Sequence, residues 1–413
     1  MNQPTLYGPF SELISLSQLE THGAIADEHI HVKRNTGIVV EDGIIKEIDD
    51  YSLLLQKYRD VFTVSPDNNP WVALPSYVDC HTHICWAGTR VNDYAARVAG
   101  KSYLEIAAAG GGIMTTVNAT REANQEQLIA GIVDRVNKHL RRGISVIEVK
   151  SGYGLTVDDE LKMLRAIKAA NRDTAATLIP TFLGAHIKPK DFTGSNTQYL
   201  NMLLEQVIPI IQKEELAHRA DIFVEEGAFT TDEARDYIIE LQKLGFHVAM
   251  HVDQFHSEGG KVANELKCVS ADHLEYTDEH GIAAFANSTT VAVALPGASL
   301  GLGMQYAPAR ALLDAGACLA IASDWNPGSA PMGDLVTQAS LLGASEKLTI
   351  AETLLGITTR AAHALRIDST SIEVGKRAQF NIYETNDFRT IFYQQGQLTP
   401  SYSAIGQAFI HHE

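Results

Sequence analysis

The sequence predicts an α/β protein: a (β/α)8 barrel carrying a small β-sandwich domain built from the N- and C-terminal segments. Three observations point there. Eight short apolar runs, each ending in polar residues, alternate with amphipathic stretches through the middle of the chain, and eight βα units are the number that closes a barrel. The two chain ends instead carry short β-type runs around turn residues. Finally, 413 residues with 45% hydrophobic content suffice for one large barrel core and a smaller domain.

Along the chain, "HIHV" (His29 to Val32) alternates histidine with apolar residues, as a half-buried strand does. "GIVVEDGIIKEID" (Gly37 to Asp49) reads as a hairpin across Asp42-Gly43. The C-terminal "SIEVGKRAQFNIYE" and "YSAIGQAFI" have the same character, so 1–72 and 366–413 are assigned to the small domain and 73–365 to the barrel. The expected barrel strands are Ala73–His83, Val146–Ser151, Leu178–His186, Asp221–Glu226, His247–Asp253, Ser270–Glu275, Thr289–Leu295 and Cys318–Asp324. Helical patterns separate most of them, including Gln125–Arg141, Asp158–Asn171, Glu233–Leu244 and Ala307–Ala315. Thr230 with Glu233, and Thr349 with Glu352, match the capping box.

Composition narrows the function classes. A formal net charge of −17 argues against nucleic acid or an anionic membrane as partner. The four cysteines form no CxxC pair, which suits a reduced, cytoplasmic setting. No secretory leader pattern and no apolar run of membrane-spanning length is visible.

Chemistry-bearing residues gather where the barrel runs stop, which in such barrels is where active sites are built. His81 and His83 lie two apart, so on a strand they share a face. Two imidazoles on one face suit a divalent metal, and His251 and Asp324 can supply further ligands from across the barrel mouth. His29 and His31 repeat the HxH spacing but lie in the terminal β segment, where a solvated strand face is expected. His186 follows an apolar strand and belongs with the site; His218, in a charged stretch, does not. Gly110–Gly112 lacks any phosphate-loop context and reads as a flexible loop over the mouth. Of Glu225 and Glu226, at most one enters the barrel, and Cys80 and Cys85 are packing residues.

With these residues in place, the chain resembles the amidohydrolase superfamily, and within it the imidazolonepropionase family. The resemblance covers nearly the whole chain and rests on "VDCHTHICWAGTR", "GKSYLEIAAAGGGI", "EVKSGYGL", "TFLGAH", "HVDQF" and "SDWNPGSAP" together. Many superfamily relatives with two metals carry a lysine at the end of strand four; this chain has "FVEEG" there, which favours a single ion. Departures are Ala378-Gln379 where Ala-Asp is usual, and Gln254 at a position where relatives carry glutamate or glutamine.

The resemblance implies one Zn²⁺ or Fe ion on His81, His83, His251 and Asp324, with His273 as the base and Asp324 as its partner in proton transfer. It implies 4-imidazolone-5-propanoate as the small-molecule substrate and N-formimidoyl-L-glutamate as product. Arg90 is the expected carboxylate clamp, completed by Tyr153 and His186. Gln254 would orient the ring, and Asn326, Gly328 and Ser329 would touch the substrate or the product's glutamate end. A homodimer is also implied. A ring deaminase is the rival enzyme reading, disfavoured by Gln254; a non-catalytic relative would be expected to lose ligands, and all four candidates are present.

Overall fold

The computed structural model describes residues 3–66, 69–101, 105, 109–286 and 288–412 of the chain. Residues 102–104 and 106–108 of the glycine-loop motif therefore lie outside the described residues.

The two chain ends build one nine-stranded sheet. Its path runs Ala408–His411, Tyr402–Ile405, Gln379–Glu384, Trp71–Pro75, Thr5–Ile14, Thr36–Glu41, Ile44–Asp50, with Val32–Lys33 and Phe62–Val64 pairing onto Thr5–Ile14. The ends meet where Gln379–Glu384 pairs antiparallel with Trp71–Pro75. The expected hairpin is present: Thr36–Glu41 and Ile44–Asp50 are antiparallel, and Asp42 and Gly43 both have positive φ (51° and 79°), as a two-residue type I′ turn requires. A side chain on Gly43 would also strike the backbone of Gly406 at 2.9 Å. Tyr7, Phe10, Trp71, Phe380 and Ile382 fill a core enclosed by this sheet. His29 and His31 are exposed, but His29 lies in a short 3-10 turn, Asp27–His29, rather than on a strand.

The second sheet has eight parallel strands in chain order: Tyr77–Asp79, Ile144–Lys150, Thr177–Ala185, Arg219–Phe223, His247–Val252, Ser270–His273, Val291–Ala294 and Leu319–Ile321. With its intervening helices it forms the expected (β/α)8 barrel. The helix Gln125–Arg141 occurs as read from its pattern, and both expected capping boxes form, Thr230 with Glu233 and Thr349 with Glu352. The expected strand Ala73–His83 does not exist as one element. Trp71–Pro75 pairs in the terminal sheet, and the barrel strand starts afresh at Tyr77 and ends at Asp79. Pro75 cannot donate to a continuing ladder, and the Ser76 N–H turns to Gln379 O, so the apolar run is divided between two sheets. No helix among the described residues is long and apolar enough to cross a membrane.

Candidate active site

The segment after Asp79 completes the barrel. Thr82 and Trp325 form a parallel bridge. Around it, Asp324 N donates to His81 O and His83 N to Trp325 O, both at 3.0 Å. On the other side, Lys150 N donates to Thr82 O at 3.0 Å and Thr82 Oγ1 donates to Glu148 O at 2.6 Å. The first strand is thus joined to its neighbours through the residues that carry HxH, and both imidazoles are fixed at the seam.

His81, His83 and His251 are buried and offer nitrogens that all lie within 4.8 Å of one another. His83 Nε2 and His251 Nε2 are 3.3 Å apart. Asp324 Oδ1 is 3.3 Å from His83 Nε2 and 3.5 Å from His81 Nε2. Two ligand atoms each about 2.0–2.1 Å from a tetrahedral ion are about 3.4 Å apart, so these separations fit the edges of one coordination shell. The His81 Nε2 atom is buried without a hydrogen-bond partner among the described residues, an arrangement that costs free energy unless something fills it. Burial pushes His83 and His251 down to about 4, and His81 well below the ordinary histidine range. All three are therefore neutral at pH 7, as metal ligands must be. Burial raises the Asp324 carboxyl, but His81 and His83 outweigh it and hold it well below the usual carboxylate range.

The outer nitrogens of two of the three imidazoles, His81 and His251, are also held. His81 Nδ1 meets Asp272 Oδ2 at 2.6 Å and His251 Nδ1 meets Asp221 Oδ1 at 3.0 Å, which aims each Nε2 inward. Asp221 Oδ2 in turn accepts from Lys150 Nζ at 2.8 Å, as does Glu148 Oε1 at 2.8 Å. Burial alone would discharge Lys150; Asp221, Glu148 and Asp272 outweigh it and keep the ammonium charged. Asp221, Asp272, Glu148 and Lys150 were not anticipated as site residues. Their signal was present, since four charges sit inside otherwise apolar strand runs, with Glu148 and Lys150 two apart and so on one face.

The other candidates divide into those around the centre and those at its rim. The His273 ring is 5.4 Å from His251 and 6.0 Å from His81, centre to centre. His186 stacks on His83 at 5.5 Å with 25° between ring planes, and its Nδ1 lies 2.9 Å from Gly152 O. Tyr153 is 5.9 Å from His83 and 5.6 Å from His186, and its phenol feels the charges of both Asp324 and Arg90. Gln254 is buried just past strand five. Arg90 opens the helix Val91–Val98, and its Nε donates to Asp93 Oδ2 at 2.8 Å. The same Asp93 oxygen accepts from Gly112 N at 2.8 Å, so the glycine segment is tied to the Arg90 helix.

Asn326 and Ser329 work mainly within their own loop. Asn326 Nδ2 donates to Asp324 Oδ2 at 2.9 Å, and its Oδ1 accepts from the N–H groups of Gly328 and Ser329. These bonds occupy one Asp324 oxygen and leave Oδ1 for the histidines. Gly328 lies against Arg90, since a Cβ there would meet Arg90 Nη1 at 2.2 Å. Glu225 caps the loop after strand five, accepting from Phe255 N and pairing with His256 Nδ1 at 2.9 Å. His218 is exposed and lies outside the site, and Cys80 and Cys85 are buried thiols.

Known proteins resemble this chain over most of its length. The amidohydrolase family profile matches residues 72–408. An imidazolonepropionase of Clostridium tetani is 34% identical over 94% of this chain and 93% of its own. One from Caldanaerobacter subterraneus subsp. tengcongensis is 36% identical over 89% and 88%. Among solved structures, an adenosine deaminase from Xanthomonas campestris with bound zinc superimposes with TM-score 0.69 at 16% identity, covering 99% of this chain and 93% of that one. That likeness speaks for the fold alone. The chain belongs to the amidohydrolase family and, within it, to the imidazolonepropionases, metal-dependent hydrolases of histidine degradation that act on a small molecule.

Proposed function

We propose that this hydrolase opens the ring amide of 4-imidazolone-5-propanoate to N-formimidoyl-L-glutamate, using one Zn²⁺ or Fe ion held by His81, His83, His251 and Asp324. The observation that carries the reading is the convergence of the three neutral imidazoles and the Asp324 carboxylate at tetrahedral spacing. When bound, such an ion supplies Lewis-acid chemistry and a water acidified toward neutral pH.

The side chains then have distinct tasks. His273 takes the proton that the water gives up and, with Asp324, delivers it to the ring nitrogen as the C–N bond breaks. The water's oxygen ends on the former carbonyl carbon, now the second carboxylate. Arg90 has its Nε engaged by Asp93, which presents the outer guanidinium nitrogens to the propanoate carboxylate. Tyr153 and His186 complete that pocket, and Gln254 orients the ring through its donor and acceptor. Asn326 and Ser329 set the Asp324 carboxylate, and together with the Gly328 backbone they border the substrate or the product's glutamate end. A cytoplasmic homodimer is the setting that fits an acidic chain without paired cysteines and the resemblance to the family.

The experiment is metal analysis of the purified protein with an assay following loss of imidazolone absorbance and formation of formimidoylglutamate. Stoichiometric metal and that product are expected. Ammonia release from aminated rings, without activity on the imidazolone, would overturn the substrate.

A further inference from the structure

The mechanism above gives no task to the buried carboxylate of Glu275. Glu275 is 2% exposed and sits two residues past His273. Strand six stops at His273, and both His273 (φ 91°) and Leu274 (φ 70°) adopt the left-handed conformation, uncommon for residues with side chains. A strand continuing straight would carry residue 275 about 6.6 Å further on. The reversal instead brings its carboxylate back beside the ring, with Oε2 3.5 Å from His273 Nδ1.

Glu275 is itself anchored. Its Oε1 accepts from Ser299 Oγ at 3.0 Å, from the helix Pro296–Leu302, and its backbone oxygen accepts from Gln305 Nε2 at 2.5 Å. Among the described residues, Oε2 and His273 Nδ1 have no hydrogen-bond partner; each faces the other. A buried carboxylate oxygen requires a donor, and the nitrogen 3.5 Å away is His273 Nδ1, which supplies one when it carries the proton.

We propose that Glu275 is a positioning residue for His273: it holds the Nδ1 proton and so fixes the tautomer in which Nε2 is free to accept. This rests on His273 acting as the base. An imidazole protonated at Nδ1 has its lone pair on Nε2, and the neighbouring carboxylate also stabilises the imidazolium formed when Nε2 takes a proton, the division of labour known from histidine–aspartate pairs. Glu275, Asp324 and Asp272 are the carboxylates whose charge acts on this ring. The rings of His81 and His251 are the other titratable groups facing it.

The test uses zinc-loaded protein and a double-mutant cycle. Glu275→Gln is expected to lower kcat about 100-fold, the lower end of what general-base catalysis supplies, with KM within about twofold and the zinc content unchanged. In a His273→Ala background the same substitution should change kcat less than about twofold, because its effect passes through the missing ring. Nitrogen-15 spectra, with His273 assigned against His273→Ala, should show that ring protonated at Nδ1. An equal loss in both backgrounds, a single-variant kcat within about threefold of wild type, or a ring protonated at Nε2 would each overturn the proposal. Should Glu275→Gln fold poorly, Ser299→Ala loosens the carboxylate without removing it; a His273-dependent loss of kcat is expected, and none overturns the proposal. Retained turnover in His273→Ala alone sinks the base assignment instead, while the tautomer is still read from the spectrum.

Discussion

Lys150→Met isolates the electrostatic support beneath the histidines. The ammonium is 1% exposed and bonds at 2.8 Å to both Glu148 and Asp221, whose side chains are fully buried. Methionine preserves most of the apolar stem, so the substitution chiefly strands two carboxylates. Removing one partner of a buried ion pair costs about 3–5 kcal/mol. With an unfolding entropy of about 2.1 cal/mol/K per residue, a chain of 413 residues loses roughly 1.1 °C in Tm for each kcal/mol. The expected drop is therefore about 3–6 °C, measured by scanning calorimetry at pH 7 with metal bound. Neutralising the freed groups as well, with Glu148→Gln and Asp221→Asn, should recover part of it, since a buried polar cluster costs less than an unpaired buried charge. A drop of less than about 1 °C in the single variant would refute the view that the three charges stabilise one another.

Three further outcomes are expected. Asp272→Asn weakens the acceptor on His81 Nδ1 and should lower metal affinity about 10–100-fold, measured by competition with a chelator; unchanged affinity would remove Asp272 from the ligand support. Gly328→Ala places a methyl 2.2 Å from Arg90 Nη1, so KM should rise at least about tenfold (one displaced charge-assisted bond) with kcat changed far less; steady-state kinetics decide it. Glu352 accepts a bidentate Arg310 and the N–H groups of Ile25 and Thr349, and Glu352→Gln should cost about 1–3 kcal/mol at pH 7. Burial raises this carboxyl, but Arg310 and the two N–H groups outweigh it and depress it below its ordinary value. Its contribution is therefore present above the unfolded pKa of about 4.3 and is lost as pH falls through the lower folded value, so the Tm gap between wild type and variant should close in acid.

The barrel was legible because its helices carry local signals. Capping boxes at Thr230 and Thr349 depend on residues three apart, and both formed. Strand one was misplaced for the opposite reason: "WVALPSYV" is broken only by Ser76, and only a distant partner, Gln379–Glu384, takes its first half into another sheet. The four inner ligand candidates were readable from strand ends and spacing. The carboxylates behind them were not, because a charged residue in a buried strand announces a partner without naming it. Glu275 was hidden more deeply. Strand parity places it on the His273 face, but the reversal at His273 and Leu274, which sequence pattern does not encode, is what brings it to that ring.

The seam between the first and last barrel strands has a consequence for how this protein is made. Ser323 N donates to Asp79 Oδ1 across 244 residues of chain, and His81 and Asp324 meet only when that junction forms. Contacts so remote in sequence form late, after their loop-closure cost has been met by everything between. During synthesis His81 and His83 emerge long before Asp324, so a ribosome-bound or truncated chain ending before Asp324 holds an incomplete set of the proposed ligands. On the proposed ligand set, full metal uptake reports that the barrel has closed, and an early stop anywhere upstream yields a chain that cannot acquire the complete site.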